Sequence, residues 1–418
     1  MKNINIKIIG DIIIDKWIDG KKGNLSAEAP IKIFNTYEHK ASMGGAGNLC
    51  INLKKLLNNF VLYTEIGKDE NGKKLIQLLK KNKIDFRLIR QKKITTSKKR
   101  FFIGDKLIFR EDIEDDKNNK KVGNLLLRKL KKNDIVIISD YKKGTIFKEL
   151  HSRIINKNCL TFVDPKNQPS FYKKAFLVKP NMNKFVEWCK SFSKKKAFDL
   201  LKKMNWTWLI VTNSSKGVHV FNKYGVYNYY KVKKVNNPNV IGAGDIFFSS
   251  LIYFYLKNYN IFTSVELSSY GATECIRKKK IRYINKKDFL KDKVFTNGVF
   301  DILHEGHLKL LKFAKKFGKK LIVGINSDKS VRKIKGPNRP HNNILKRINN
   351  LRKTNLIDKI YVFNNINPFN LIKKIKPDLI IKGDDYNFNN VAGSKISNVI
   401  LFKKYKKYST SNILKKIK

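Results

Sequence analysis

The sequence predicts an α/β protein of two domains, each built on a mostly parallel sheet covered by helices. Three observations predict it. Short apolar runs alternate with longer Lys-studded amphipathic segments, glycine-rich turns follow several of those runs, and a second strand-turn-helix start occurs at Lys293-Val-Phe-Thr after a heavily charged stretch.

Length agrees with this division. A chain of 418 residues exceeds the ~250 to 300 at which a single core stops growing. IKIIGDIII reads as a first buried strand and NLCINLKKLL as a helix; DIVIISD is a strand followed by the helical IFKELHSRIINK; WLIVT is a strand leading into a hairpin-like stretch. The charged IRKKKIRYINKKDFLKDK then marks a boundary near residue 288, giving domains 1–288 and 289–418. In the second domain LKLLKFAKKFG reads as a helix and KLIVGIN as a strand. Ligands of such folds sit just beyond the carboxyl ends of the strands, which directs attention to the turns.

A hydrophobic share of 42% supports packed cores and argues against disorder. The formal net charge of +57 would ordinarily point to nucleic acid or an anionic membrane. Here Lys is spread along the whole chain beside abundant Asn, Ile, Phe and Tyr, the residues of A/T-rich codons, and neither an aromatic-basic RNA motif nor a zinc-finger spacing occurs. No specific nucleic-acid partner is expected. Cys50, Cys159, Cys189 and Cys275 form no CxxC pair, so neither a disulfide framework nor a structural zinc site is expected. MKNINIKIIGDIIID lacks the pattern of a signal peptide, and no apolar run approaches ~18 residues. A cytoplasmic location without membrane association is therefore expected.

Two glycine-rich stretches carry the first site: Met43-Gly44-Gly45-Ala46-Gly47-Asn48, and Ile241-Gly242-Ala243-Gly244-Asp245, each opening a helix. Glycine lets backbone N–H groups approach a ligand, and a helix N-terminus carries partial positive charge suited to phosphate. Phosphoryl transfer needs such an anion hole together with a carboxylate that takes the proton of the attacking hydroxyl, a role open to Asp245. The competing reading makes Asp245 a helix cap and Gly242 and Gly244 turn residues.

The strongest motif is Phe295-Thr296-Asn297-Gly298-Val299-Phe300-Asp301-Ile302-Leu303-His304-Glu305-Gly306-His307. A strand leads through a turn into a helix bearing His304 and His307, three apart and so on one face. Gly306 between them leaves room for a phosphate, and two imidazoles at a helix N-terminus can serve charge building on an α-phosphate. Competing readings are zinc ligation, for which no third ligand cluster is present, surface polarity, or a pair of core histidines. Arg347 and the basic stretch from Lys335 are candidate phosphate contacts. Lys382-Gly383-Asp384-Asp385-Tyr386 ends a later strand, and Ser409-Thr410-Ser411-Asn412 opens the last helix, a natural polyphosphate cradle.

In order and spacing, Gly10-Asp11, Gly44-Gly45, Asn181 and Gly242-Ala243-Gly244-Asp245 resemble the ribokinase-like (PfkB) sugar kinases. That resemblance implies that Asp11 and Asn48, with Gly44 and Gly45, hold sugar hydroxyls, that the Gly242–Gly244 loop covers the transferred phosphate, and that Asp245 is the base. The His-x-Gly-His motif resembles a nucleotidyltransferase superfamily with a small Rossmann-like sheet, in which Thr296, Asn297, Gly298, Phe300, Asp301, Arg347, Lys382, Gly383, Asp385, Ser409, Thr410 and Ser411 would face nucleotide. More closely, GDIIIDKW, AEAPIKI, SMGGAGN, IISDYKKG, VDPKN and KPNMNKF resemble the bifunctional heptose 7-phosphate kinase/heptose 1-phosphate adenylyltransferases of lipopolysaccharide synthesis. The expectation is thus a ribokinase-like α/β domain followed by a smaller Rossmann-like one, using ATP and Mg²⁺ on sugar phosphates, with homodimerisation and unknown metal ligands.

The chain departs from that pattern. Where relatives carry Asn-x-x-Glu for Mg²⁺, this chain has Asn181-Met182-Asn183-Lys184, with Glu187 one turn on as a conceivable substitute; Asn239 and Ile241 replace Asp and Thr, and Asp384 replaces a Gly. Two other readings follow: an adenylyltransferase beside a weakened kinase, and a nucleic-acid-binding protein on a nucleotide-binding scaffold.

Overall fold

The computed structural model describes residues 5–92, 94–114, 120–277, 283–384 and 390–402. The chain divides into two compact units, Met1–Asn285 and Lys286–Lys418. The division falls three residues before the boundary read from the charged stretch.

Strands of the first unit are β1 (Ile6–Gly10), β2 (Ile12–Leu25), β3 (Lys32–Gly45), β4 (Val61–Gly67), β5 (Asp85–Lys92), β6 (Ser97–Ile103) and β7 (Lys106–Ile113). They continue as β8 (Ile135–Ser139), β9 (Leu160–Asp164), β10 (Leu177–Val178), β11 (Trp208–Thr212), β12 (Val218–Asn222) and β13 (Tyr227–Tyr230). Nine of them form one sheet in the order β13, β12, β11, β10, β9, β8, β1, β4, β5. Pairing is parallel from β5 to β11, and β12 and β13 close the edge as an antiparallel hairpin. The central strands are mostly apolar, as burial on both faces requires: IKIIG and IVIIS bury every residue, Lys7 among them paired with Asp134. Against them packs a continuous core that includes Val122, Leu150, Phe185 and Trp206.

A second sheet, ordered β3, β2, β6, β7, was not anticipated. Its outer strand residues, such as Ile33 and Tyr37, are exposed among lysines, so neither alternation nor an apolar run announces it. The run IKIIGDIII, read as one strand, is divided between the two sheets. Asp11 is the cause. Its N–H donates to Ser139 O at 3.3 Å and its carbonyl accepts from Ala46 N at 2.9 Å, so the backbone is pinned on both sides and β2 leaves in a new direction.

The second unit holds β14 (Lys291–Gly298), β15 (Gly318–Asn326), β16 (Lys359–Phe363), β17 (Leu379–Gly383) and β18 (Asn398–Phe402) in one parallel sheet. The order β16, β15, β14, β17, β18 places the first strand in the middle, so successive connections leave β14 in opposite directions. The crevice at the carboxyl end of such a strand is where ligands bind in open α/β sheets. In the first unit β1 occupies the same kind of place, between β8 and β4.

Candidate functional sites

The first site collects at the carboxyl ends of β1, β8, β9 and β10. A cavity of about 180 Å³ opens there, with Asp140, Tyr141, Lys179, Asn181, Gly244 and Asp245 in its wall. Asp245 sits in the first turn of the helix Ala243–Leu256, which is apolar nearly all round and therefore buried. Gly242, at the cap of that helix, has φ +74°, and a β-carbon there would lie 2.5 Å from Asn48 Nδ2. Glycine is required on both counts. Gly44 is likewise closed to side chains by the Asp15 carboxylate, and Gly45 takes φ +57°.

The Asp245 carboxylate is held at both oxygens. Asn48 Nδ2 donates to Oδ2 at 2.6 Å and the Tyr141 hydroxyl donates to Oδ1 at 2.9 Å. Burial pushes its pKa up to about 6, helped by the nearby Asp164 carboxylate and opposed by Asn48, Tyr141 and Lys179. Tyr141 itself is pushed well above the ordinary tyrosine range by burial and by Asp245, so it remains a donor. A carboxylate that titrates near neutrality beside a cavity is suited to accept a proton.

Several expected contacts are arranged differently. Asp11 is 1% exposed, and its carboxylate accepts from the amides of Tyr141, Lys143 and Thr145 at 2.9 to 3.1 Å, so it fastens the loop after β8. Asn181 caps the helix Met182–Cys189 by accepting from Lys184 N at 2.8 Å. Met182 packs against the core and Asn183 points to solvent. Glu187, the conceivable metal carboxylate, is paired with Lys184 at 2.7 Å, and that contact lowers its pKa.

Other residues were missed. Lys179, 3% exposed, pairs with Asp164 at 3.0 Å, and its ammonium lies 3.9 Å from where a β-carbon of Gly244 would stand. Asp15 pairs with Arg100 at 2.8 Å beside Gly44. Asp140 accepts from Tyr172, from Asn167 Nδ2 at 2.9 Å and from three backbone amides, tying the loop after β9 to the loop after β8. The available signal was the rule that strand ends bear ligands, since IISDYKKG, VDPKN and KPNMNKF all begin there.

The second site emerges from β14. His304 does not lie within the helix but caps it: the helix is Glu305–Lys315, and His304 Nδ1 accepts from His307 N at 3.4 Å. The rings stack with centroids 3.8 Å apart, and Phe300 meets His307 edge-on at 5.0 Å. Phe300 takes φ +48°, rare for a bulky residue and costing about 1 to 2 kcal/mol, and its ring fills the space over Gly298. Thr296, at the end of the buried part of β14, holds an inaccessible hydroxyl with no hydrogen-bond partner. Asn297 accepts from Lys382 Nζ through both its carbonyl at 3.0 Å and Oδ1 at 2.9 Å, which joins β14 to β17 just before Gly383.

Arg347, expected to face phosphate, is fully buried. It donates to Asn342 O at 3.1 Å, Val299 O at 2.8 Å and Asp328 Oδ1 at 2.5 Å, so it braces the motif from behind. A buried guanidinium needs such partners, and here they are backbone and carboxylate. Asp301 accepts from Arg339 at 3.0 Å and from the amides of His341 and Asn342 at 3.0 and 2.9 Å, closing the loop after the motif. Asp385, Ser409, Thr410, Ser411 and Asn412 lie outside the described residues.

The two units therefore define an α/β transferase with a sugar-kinase site in the first and a nucleotidyl-transfer site in the second. Residues 5–287 match the pfkB family carbohydrate kinase, and residues 295–416 match the cytidylyltransferase-like family. The chain is 32% identical to the bifunctional protein HldE of Nitratiruptor sp. over 94% of both chains, and 31% identical to that of Campylobacter fetus over 99% of this chain and 100% of the relative. With the HldE of Helicobacter acinonychis it shares 33%, over 99% of this chain and 98% of that one. The chain belongs to the family of the bifunctional HldE proteins, joining a pfkB-type carbohydrate kinase to a cytidylyltransferase-like nucleotidyltransferase. Its ribokinase-like fold is shared with phosphofructokinase-2 from Escherichia coli (TM-score 0.58, 13% identity, 68% of this chain and 96% of that one) and with ribokinase from Thermotoga maritima (0.54, 17%, 66% and 93%).

Proposed function

We propose that the first unit transfers the γ-phosphoryl group of ATP to the anomeric oxygen of D-glycero-β-D-manno-heptose 7-phosphate. After a separate phosphatase removes the 7-phosphate, the second unit transfers adenylyl from ATP to the resulting heptose 1-phosphate, giving ADP-heptose and pyrophosphate for lipopolysaccharide core. Full-length similarity to bifunctional HldE proteins supports the pairing of activities. The observation that carries the kinase chemistry is the buried Asp245 at the cavity wall, doubly hydrogen-bonded and with its pKa raised to about 6.

In the first step Asp245 accepts the anomeric hydroxyl proton as that oxygen bonds the γ-phosphorus and the bridge to ADP breaks. Gly242, Ala243 and Gly244 offer backbone to the transferred phosphate, with the Lys179 ammonium beside them. Gly44 and Gly45 let the chain pass close to Asp15 and Asp11 at the sugar's wall, which Asn48 shapes by holding Asp245 and Asp11 by holding the loop after β8. In the second step His304 and His307 receive the charge that builds on the α-phosphate, just beyond the end of β14 where Lys382 holds Asn297. The sugar phosphate attacks directly and no covalent enzyme intermediate is needed.

Magnesium would supply charge neutralisation of the triphosphate in both units. No group of three or more His, Cys, Asp or Glu among the described residues is placed to hold a metal. That fits an ion that arrives on phosphate oxygens and keeps much of its water shell, as Mg²⁺ commonly does. No described helix is long and apolar enough to cross a membrane; we place the protein in the cytoplasm as a homodimer acting on small sugar phosphates, divided near residues 285–288.

Two assays with Mg²⁺-ATP test this: ADP formed from heptose 7-phosphate, and pyrophosphate formed from heptose 1-phosphate. Both products should appear, Asp245→Asn removing only the first and His307→Ala only the second. Pyrophosphate alone would leave the kinase reading without support.

A further inference from the structure

Asp245 is held by two donors whose own directions are set elsewhere. Asn48 lies in the helix Ala46–Leu56, and an amide there can present either its NH2 or its oxygen to the carboxylate. Its orientation is decided one turn on. Asn52, completely buried, donates from Nδ2 to Asn48 Oδ1 at 3.2 Å and to Asn48 O at 2.9 Å, while its own Oδ1 accepts from Ile284 N at 3.0 Å. The backbone N–H of Ile284 can only donate, so Asn52 must turn its oxygen there and its NH2 toward Asn48. Asn48 must then turn its own NH2 toward Asp245. On the other side, Tyr141 is anchored through its backbone N–H to Asp11 Oδ2 at 2.9 Å, and its hydroxyl reaches Asp245 Oδ1.

We propose that Asn52 and Tyr141 are positioning residues for the phosphoryl transfer, fixing the rotation of the Asp245 carboxylate from its two sides, Asn52 through Asn48 and Tyr141 from the cavity wall. The proposal rests on Asp245 being the base. With one donor on each oxygen, the carboxylate plane is determined, and the remaining lone pairs point where a hydroxyl can approach. Removing either donor frees the plane to rotate, and misplacement of a catalytic group by about 1 Å costs on the order of a hundredfold in rate.

The groups facing Asp245 are Asp164 at the end of β9, Lys179 after β10, Tyr141 after β8, and Asn48 and Cys50 on the helix Ala46–Leu56. Of these, Asn48 and Tyr141 favour the charged form by hydrogen bonding, so losing either moves the ascending limb of the kinase pH profile to higher pH.

Tyr141→Phe keeps the ring and the backbone N–H and removes only the donor; Asn52→Leu keeps the volume and removes the relay. The experiment measures kcat and KM for heptose 7-phosphate from pH 5 to 9 in the full chain, with melting temperature as a check on folding and Asp245→Asn in parallel. The expected result for Tyr141→Phe is a kcat lower by about tenfold to a hundredfold, KM within about twofold, and a limb shifted upward. Asn52→Leu should do the same wherever it still melts cooperatively. A wild-type kcat and pH profile for Tyr141→Phe, with Asp245→Asn inactive, would overturn the proposal while sparing the base. An active Asp245→Asn would instead remove the reading on which it stands.

Discussion

Arg347 Nη2 lies 2.5 Å from Asp328 Oδ1, and the arginine of this pair is fully buried behind the His-x-Gly-His motif. The other edges of the guanidinium hold the carbonyls of Val299 and Asn342, on the two loops that frame the motif. The pair therefore acts on the shape of the second site, and truncating it strands a carboxylate and two carbonyls.

Arg347→Ala should destabilise the second unit by about 3 to 5 kcal/mol, the cost of breaking a buried pair. Thermal unfolding followed together with pyrophosphate release checks this. A stable variant with only a raised KM for ATP would show that Arg347 faces the nucleotide after all.

The kinase should gain activity as pH rises through about 6, because Asp245 accepts a proton only when ionised and burial has raised its pKa to that range. Adenylyl transfer, which does not use Asp245, should lack that limb. The measurement is kcat for ADP formation against pH at saturating sugar phosphate. A flat profile between pH 5 and 7 would argue against a base of raised pKa.

His304 caps its helix, and in the proposed transfer it is also a donor to phosphate. Asn is also a good cap, so His304→Asn should keep the melting temperature while lowering pyrophosphate release by about 10²-fold or more. His307→Ala should lower it comparably, and neither change should affect ADP formation. Equal losses of stability and rate in His304→Asn would reduce the residue to its structural role.

Gly242→Ala places a β-carbon 2.5 Å from Asn48 Nδ2 at a residue with φ +74°. The backbone strain costs about 1 to 2 kcal/mol, and the displaced amide can no longer hold Asp245. We expect kinase kcat to fall at least tenfold, by the same misplacement argument, with adenylyl transfer retained. Kinase turnover at the wild-type rate would mean that Asn48 has space to yield.

Much of both sites was legible because glycine, histidine and strand-end carboxylates leave local marks. The helices opening at Ala46 and Ala243, the parallel strands IVIIS and KLIVGIN, and the hairpin after WLIVT all follow from periodicity and turn chemistry. The sheet formed by β2, β3, β6 and β7 was not legible, since β3 and β7 are charged and largely exposed and β2 meets β6 across a long separation. Nor could a sequence tell whether an arginine after a motif points at a ligand or into the interior: Arg347 and Lys382 look alike in the chain, yet one is enclosed and the other only partly covered.

Residue order alone determined the two α/β units, the places where chemistry sits in each and the family to which the chain belongs, because buried parallel strands, phosphate-binding turns and the His-x-Gly-His motif are local patterns. Tertiary structure decided which side chains meet. Asp245 gains its raised pKa from burial and from Asp164, and its orientation from Asn48, 197 positions earlier, and Tyr141, 104 earlier. Glu187 is committed to Lys184, and Asp11 to a loop more than a hundred residues away. Hydrogen bonds and desolvation depend on distances that only the closed fold sets.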